Sequence, residues 1–286
     1  MTPRQKHGGA LPPRLSRKTP VRDAYRSEMP QVQKDLERPT AHHIFAQVSE
    51  NGRQELERPA RALAVSGLAG GIVMGLTALS VSIATAELGH SGWAQFVAYL
   101  LYPIGFIAVI LGRAQLFTEN TLYPVALVLA ERRHFGTTLR LWTIVLASNC
   151  AGAFVFALLV IPTGALKREY VASMANIGLE AANQPLRHIF WSAVIGGWII
   201  AMVAWLVSGS HSVSGSVMLI WLLCFIVGLG HFAHSVATSG EILATVLDHK
   251  LPALGYFRWL WPAVAGNVCG GVLLVTLLEC GQVKEE

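Results

Sequence analysis

Charge is scarce in this chain. Of its 286 residues only 14% are Asp, Glu, Lys or Arg, against about a quarter in average soluble domains, while 53% are hydrophobic and mean hydropathy is +0.47. This excludes an ordinary soluble domain and points to a polytopic membrane protein. Cysteine is equally sparse: Cys150, Cys224, Cys269 and Cys280 stand singly within or at the ends of apolar runs, with no CxxC pair and no Cys/His ligand spacing. They read as small buried hydrophobes, which excludes a disulfide framework and a thiolate metal site. Met1 to Arg61 holds no apolar run long enough for a signal peptide; it is polar and Pro-rich, and reads as a soluble, partly disordered extension. Glycine, by contrast, is plentiful at 27 residues, as in membrane helices whose backbones approach closely.

The formal charge of +5 and the pI near 9.2 suggest a nucleic-acid partner only until the basic residues are placed. Twelve of the 22 Lys and Arg lie in Met1 to Arg61, whose last part contains a candidate amphipathic surface helix. Beyond it, apolar segments of about spanning length, roughly 20 residues, fall near Ala62 to Ala86, Ala94 to Ala130, Thr138 to Pro162, Arg187 to Ser208, Ser216 to Leu247 and Phe257 to Leu278. Six spans put 16 Lys and Arg on one side and 5 on the other, with Arg113 left inside the second segment. The positive-inside rule then makes both termini cytoplasmic, and no nucleic-acid partner is expected. The expected organisation is an extension over 1–60, a membrane domain over 61–280 and a cytoplasmic tail over 281–286.

The two halves of the membrane region echo one another. SGLAGGIVMG from Ser66 shares its Ser and Gly-Gly with SAVIGGWIIA from Ser192, and SNCAGAFVFALL from Ser148 shares N-x-x-G with GNVCGGVLLVTLL from Gly266. Asn149 and Asn267 are expected to be structural, because Asn is costly in lipid unless paired. The long second and fifth spans become partners, with LFTENT opposite HFAHSV. Three spans per half give the halves opposite orientations, and interrupted helices in matching positions of an inverted repeat point to a transport site near the midplane.

Both long spans carry polar residues where hydrocarbon is expected. LGRAQLFTENTLYPVAL sets Arg113, Glu119 and Asn120 between apolar stretches nearer to half-helices than to spans. A charge at the bilayer centre costs about 2.5–3.5 kcal/mol even on the lenient insertion scale, so Arg113 and Glu119 must pair or line water. The counterpart, GLGHFAHSVATSGE, holds His231 and His234 three residues apart. No third or fourth ligand accompanies them, so a zinc site is not expected. A midplane histidine has other chemistry to offer, because its unperturbed pKa near 6.5 lets it donate a hydrogen bond or a proton to a small anion. A carboxylate neutralised there crosses an apolar constriction more cheaply than the anion does.

Together, SGLAGGIVMGL, LFT in QLFTENT, the two N-x-x-G motifs and GHFAHSVA resemble the formate/nitrite transporter family over roughly Arg61 to Leu278. The resemblance implies an all-α membrane protein with six transmembrane helices in an aquaporin-like inverted 3+3 repeat, helices two and five broken, assembled as a homopentamer with one pore per protomer. It implies passage of small monovalent anions such as formate or nitrite across a bacterial inner membrane. On the positions that match, His234 is the central histidine and Thr118 its loop partner, with Leu116, Phe117 and Phe232 as apolar constrictions. Glu119, where better-known members have a small or neutral residue, marks a divergent branch, as do the additional His231 and the absence of a matching lysine before span four.

The expected function is therefore a pH-sensitive channel or transporter for a small monovalent anion or its conjugate acid, in contact with membrane lipid, with no catalytic residue, metal or cofactor. Pore residues are expected to be His234, His231, Thr118, Glu119, Asn120, Leu116, Phe117 and Phe232, with Arg113, Asn149 and Asn267 as structural pairing groups. Two other classes remain open from the residues: a channel for a neutral or cationic solute that uses Glu119, and a membrane scaffold whose basic N-terminus recruits a partner or anionic lipid.

Overall fold

A backbone in hydrocarbon has no water to bond, so long apolar sequence settles into helices that satisfy their own amides. The computed structural model describes residues 39–132 and 134–285, and these are helices joined by turns and short loops. Helix α1 (Ala41–Glu57) is capped by Thr40, whose hydroxyl accepts from the His43 amide at 3.3 Å. Span one is α2 (Ala60–Leu88). Span two is α3 (Gly92–Tyr99) and α4 (Ile104–Leu111), then a break, then α5 (Tyr123–Glu131). Span three is α6 (Phe135–Val160), and α7 (Arg168–Ala182) links it to α8 (Leu186–Ser208), which is span four. Span five divides into α9 (Val213–Leu229) and α10 (Ala237–Leu247), neither long enough to cross alone. Helix α11 (Ala253–Cys269) continues through a π turn (Gly270–Thr276) into α12 (Leu277–Glu285).

The chain between α3 and α4 is a third interruption, one the apolar sequence hides. Pro103 lacks an amide and disfavours helix at the preceding residue. The carbonyls freed there are met by side chains: Trp221 Nε1 donates to Leu100 O at 2.9 Å, Ser80 Oγ to Leu101 O at 3.1 Å and Thr77 Oγ1 to Tyr102 O at 3.0 Å.

The repeat reaches further than its sequence echo. The Gly71 backbone lies against the Asn149 backbone and Gly197 against Asn267, so a Cβ at either glycine would collide with a neighbouring helix. In the same way Gly52 of α1 lies against Tyr123 and Pro124 of α5, and Gly178 of α7 against Glu241 of α10. Helix α1 is thus the counterpart of α7, each packed on the second half of a broken span. The compact unit accordingly begins at Pro39 rather than at the expected residue 61. Helix α1, the candidate surface helix, is fastened to the spans: Arg53 bonds Glu131, and Arg140 Nη2 donates to Arg58 O at 2.9 Å. The first 38 residues of the expected extension, and part of the expected tail, lie outside the described side chains.

Candidate functional site

The two breaks are made by the same local chemistry. Each half-helix ends in Leu-Gly followed by a residue with positive φ, Arg113 at 56° and His231 at 52°. The next amide reaches back across the turn, Ala114 N to Val109 O at 3.1 Å and Phe232 N to Val227 O at 3.0 Å, as in a Schellman C-cap. The chain then runs extended, and side chains of the flanking spans take its amides and carbonyls. Gln115 N donates to Ser66 Oγ at 3.1 Å, as Ala233 N does to Ser192 Oγ at 3.0 Å. Asn149 accepts from Phe117 N at 2.9 Å and donates to Gly67 O and Gln115 O at 2.7 and 2.9 Å. Asn267 repeats this with Ser235 N at 2.8 Å and with Ala193 O and Ala233 O at 2.8 and 3.0 Å. These bonds set Leu116 opposite His234 and Arg113 opposite His231. The pairing of LFTENT with HFAHSV therefore holds as segments and shifts in register.

Between the breaks, His234 and Thr118 meet. Both are fully buried, and Thr118 Oγ1 lies 2.8 Å from His234 Nε2. The other ring nitrogen, Nδ1, accepts from Val236 N at 3.3 Å and Ala237 N at 3.0 Å, two of the unpaired amides at the start of α10. A nitrogen that accepts twice carries no proton, so in the neutral ring the proton sits on Nε2 and points at Thr118. The Thr118 hydroxyl, having accepted, keeps its own hydrogen to donate.

A cavity lies on either side of this pair. The first, about 90 Å³, is lined by Tyr99, Tyr102, His231, Phe232, Thr238 and Glu241 among others, and reaches His188 to Ser192 near the start of α8. The second, about 620 Å³, is lined by Asn51, Glu55, Arg58, Arg113, Glu119 and Tyr123 among others, and reaches Val207 and Ser208 at the end of α8. At 1.5 Å per residue, Ser192 and Val207 are about 22 Å apart along the helix, so the cavities open at opposite ends. The layer between is dry and packed: Phe106, Leu116, Thr118 and His234 are each at most 1% exposed.

The expected site residues fall into distinct places. Leu116 belongs to the dry layer. Phe117 and Phe232 have different surroundings: the Phe117 ring packs edge-on against Trp142 at 6.1 Å, while Phe232 lines the first cavity. His231 is exposed, with Nδ1 3.2 Å from the Tyr99 hydroxyl, and does not join His234. Asn120 donates to Gln115 Oε1 at 2.8 Å and to Leu116 O of its own turn at 3.3 Å. Glu119 is buried and lines the second cavity. Arg113 lines the same cavity but is exposed and makes no ion pair with Glu119 within 4.0 Å; its positive φ turns it to the mouth instead.

Two features are not evident from the sequence. Tyr99, Tyr102 and Phe106 form a ladder, with centroids 6.3 and 5.6 Å apart, that ends edge-on against His234 at 5.0 Å. Their spacing of three and four residues is the available signal, masked by Pro103 between them. Glu241 is buried beside the first cavity, about one turn into α10 and seven residues beyond His234.

A family model described as "Formate/nitrite transporter" matches residues 42–281, and so takes in α1. The chain is 31% identical over 249 residues to the inner membrane protein YfdC of Escherichia coli strain K12, covering 85% of this chain and 79% of that relative. Among solved structures it is similar to an FNT family ion channel, with a TM-score of 0.75 at 18% identity over 85% of this chain and 98% of the other. It is also similar to a pentameric formate channel with formate bound, with a TM-score of 0.67 at 16% identity over 79% and 98%.

Proposed function

Because this chain belongs to the formate/nitrite transporter family, we propose that it forms a pore for small monovalent anions or their conjugate acids, with the His234–Thr118 pair as the point every solute passes. The contact between those two buried side chains carries the reading. A solute entering the dry layer loses its water, and a bare anion there pays several kcal/mol. The Nε2–H of His234 and the hydroxyl hydrogen of Thr118 are donors already ordered at that point, so they replace part of the lost hydration without reorganising. Arg113 in the second cavity draws anions to that mouth, whereas Arg58 there is paired with Glu55 at 3.1 Å. No covalent step is involved, and the chain works as a conduit and not as an enzyme.

By analogy with the pentameric formate channel that shares its fold, the protein assembles as a homopentamer with one pore per protomer. The exposed Trp93, Trp191, Trp198 and Trp261 then face lipid or neighbouring protomers. YfdC is an inner membrane protein, and the same bacterial membrane is the site proposed here, with both termini cytoplasmic on the strength of 16 Lys and Arg against 5.

Purified protein in proteoliposomes tests this with a panel of formate, nitrite, acetate, lactate and hydrosulfide, set against potassium and glycerol. Flux of at least one small anion or its acid, without potassium or glycerol flux, is the expected result. Potassium flux with none for any anion overturns it in favour of a cation pathway through Glu119.

A further inference from the structure

The second-cavity acid has a partner in the first. Glu119 and Glu241 are 8% and 6% exposed, each lines a different cavity, and neither side-chain carboxyl makes a hydrogen bond or an ion pair within 4.0 Å among the described residues. Buried polar groups are normally bonded, and an unpartnered carboxyl facing a cavity is one of the exceptions that need a reason. Both sit close to the central pair. Glu119 directly follows Thr118, and Glu241 lies seven residues beyond His234, near the start of α10. Thr238 is on the same face, one turn from each, and lines the first cavity with Glu241.

The pathway thus runs carboxyl, Thr118 and His234, carboxyl. A fixed negative charge in both cavities would repel the solute that Arg113 attracts, so a permanently ionised pair is at odds with an anion pore. A pair that gives and takes protons is not. We propose, resting on the pore reading above, that Glu119 and Glu241 are proton-exchange groups, so that the species crossing the dry layer is the uncharged acid of a weak monobasic anion. In the cavity of entry the glutamic acid O–H bond breaks and its proton passes to the solute oxygen, leaving a glutamate and a neutral acid. The neutral acid crosses past His234. In the far cavity it returns the proton to the other glutamate and leaves as the anion. Each glutamate is reset by proton exchange with water in its own cavity. Only O–H bonds change, and one proton travels with each anion.

The groups around each carboxyl suit that exchange. Tyr99, Tyr102, Glu180, His188 and His231 surround the first cavity, and Glu55, Arg58, Arg113, Tyr123 and His211 the second. Each set includes groups able to connect the acid to water at the mouth.

The test uses the full-length protein in proteoliposomes loaded with a pH-sensitive dye, comparing formate with nitrate, an anion of a strong acid. The parent protein should take up formate with one proton each and no current, and pass nitrate at least tenfold more slowly. Glu119→Gln and Glu241→Gln keep shape and hydrogen-bonding capacity but cannot exchange a proton; each should lower formate flux at least tenfold while elution volume and melting temperature stay unchanged. Nitrate passing as fast as formate in the parent protein overturns the proposal whatever the variants do, as do folded Gln variants within twofold of the parent. Both of those outcomes leave the pore reading standing. A parent protein that carries no small acid or anion overturns both.

Discussion

Substituting Asn149 or Asn267 removes the same set of three bonds from the two halves, which makes the pair a quantitative test of how the breaks are held. Asn149→Ala orphans Phe117 N–H and Gln115 O in the break and takes the extra donor from Gly67 O, a helix carbonyl that keeps its own amide; Asn267→Ala does the same to Ser235 N–H, Ala233 O and Ala193 O. At about 1–3 kcal/mol for each of the two buried groups left unpaired, the upper limit is near 6 kcal/mol. Polar bonds within membranes average only about 0.6 kcal/mol in double-mutant cycles, which sets a floor near 2 kcal/mol. Both asparagines are fully buried beside the dry layer, where water cannot take their place, so burial decides toward the middle of that range, about 3–5 kcal/mol. The repeat adds a sharper expectation: the two losses should agree within about 1 kcal/mol, since the bonds lost are alike. Trp221→Phe, which frees only the half-exposed Leu100 carbonyl, should cost under about 1 kcal/mol. Reversible unfolding of the three variants in mixed detergent measures all of this. Either asparagine variant within about 0.5 kcal/mol of the parent would refute the claim that side chains of spans three and six hold the breaks open.

Gly71→Ala and Gly197→Ala each push a methyl group into an asparagine backbone, and should cost about 2–3 kcal/mol in the same unfolding assay. Thr118→Val leaves His234 Nε2 without its acceptor and should lower formate flux at least tenfold, equivalent to about 1.4 kcal/mol, while Thr118→Ser keeps the oxygen and stays within threefold of the parent. His231→Ala should alter flux less than threefold, because that ring lies in an exposed mouth against Tyr99 and not in the dry layer.

Much of this arrangement is legible in the chain because glycine and asparagine leave few alternatives inside a membrane. Ser66 with Gly70 and Gly71, repeated as Ser192 with Gly196 and Gly197, and Asn149 repeated as Asn267, each correspond to one bond or one close approach in the structure. The placement of His234 beside Thr118 is what the family resemblance implies, whereas the repeat by itself sets Leu116 opposite His234. Register within the breaks is harder to read, because the residues there are set by amides bonding to distant serines and asparagines and not by any period of their own. The kink at Pro103 is masked because the carbonyls it frees are satisfied by Thr77, Ser80 and Trp221, residues with no sequence relation to it. Helix α7 escapes for a different reason: it is half-buried and amphipathic, but shorter and far less apolar than the spans that flank it. Arg113 and Glu119 illustrate a limit of charge arithmetic. Two opposite charges six residues apart suggest a pair, yet the positive φ at Arg113 sends one to the mouth while the other stays buried.

Radiolabelled formate uptake by proteoliposomes containing either the parent protein or His234→Ala bears on the whole account at once. His234 has two backbone donors on Nδ1 and Thr118 on Nε2, and among the described residues no other titratable side chain lies in the dry layer. Saturable formate uptake is expected in the parent, with a loss of at least tenfold in a His234→Ala protein that elutes and melts like the parent. Uptake by that variant at the parent rate would contradict the account, because the solute would then be crossing somewhere else.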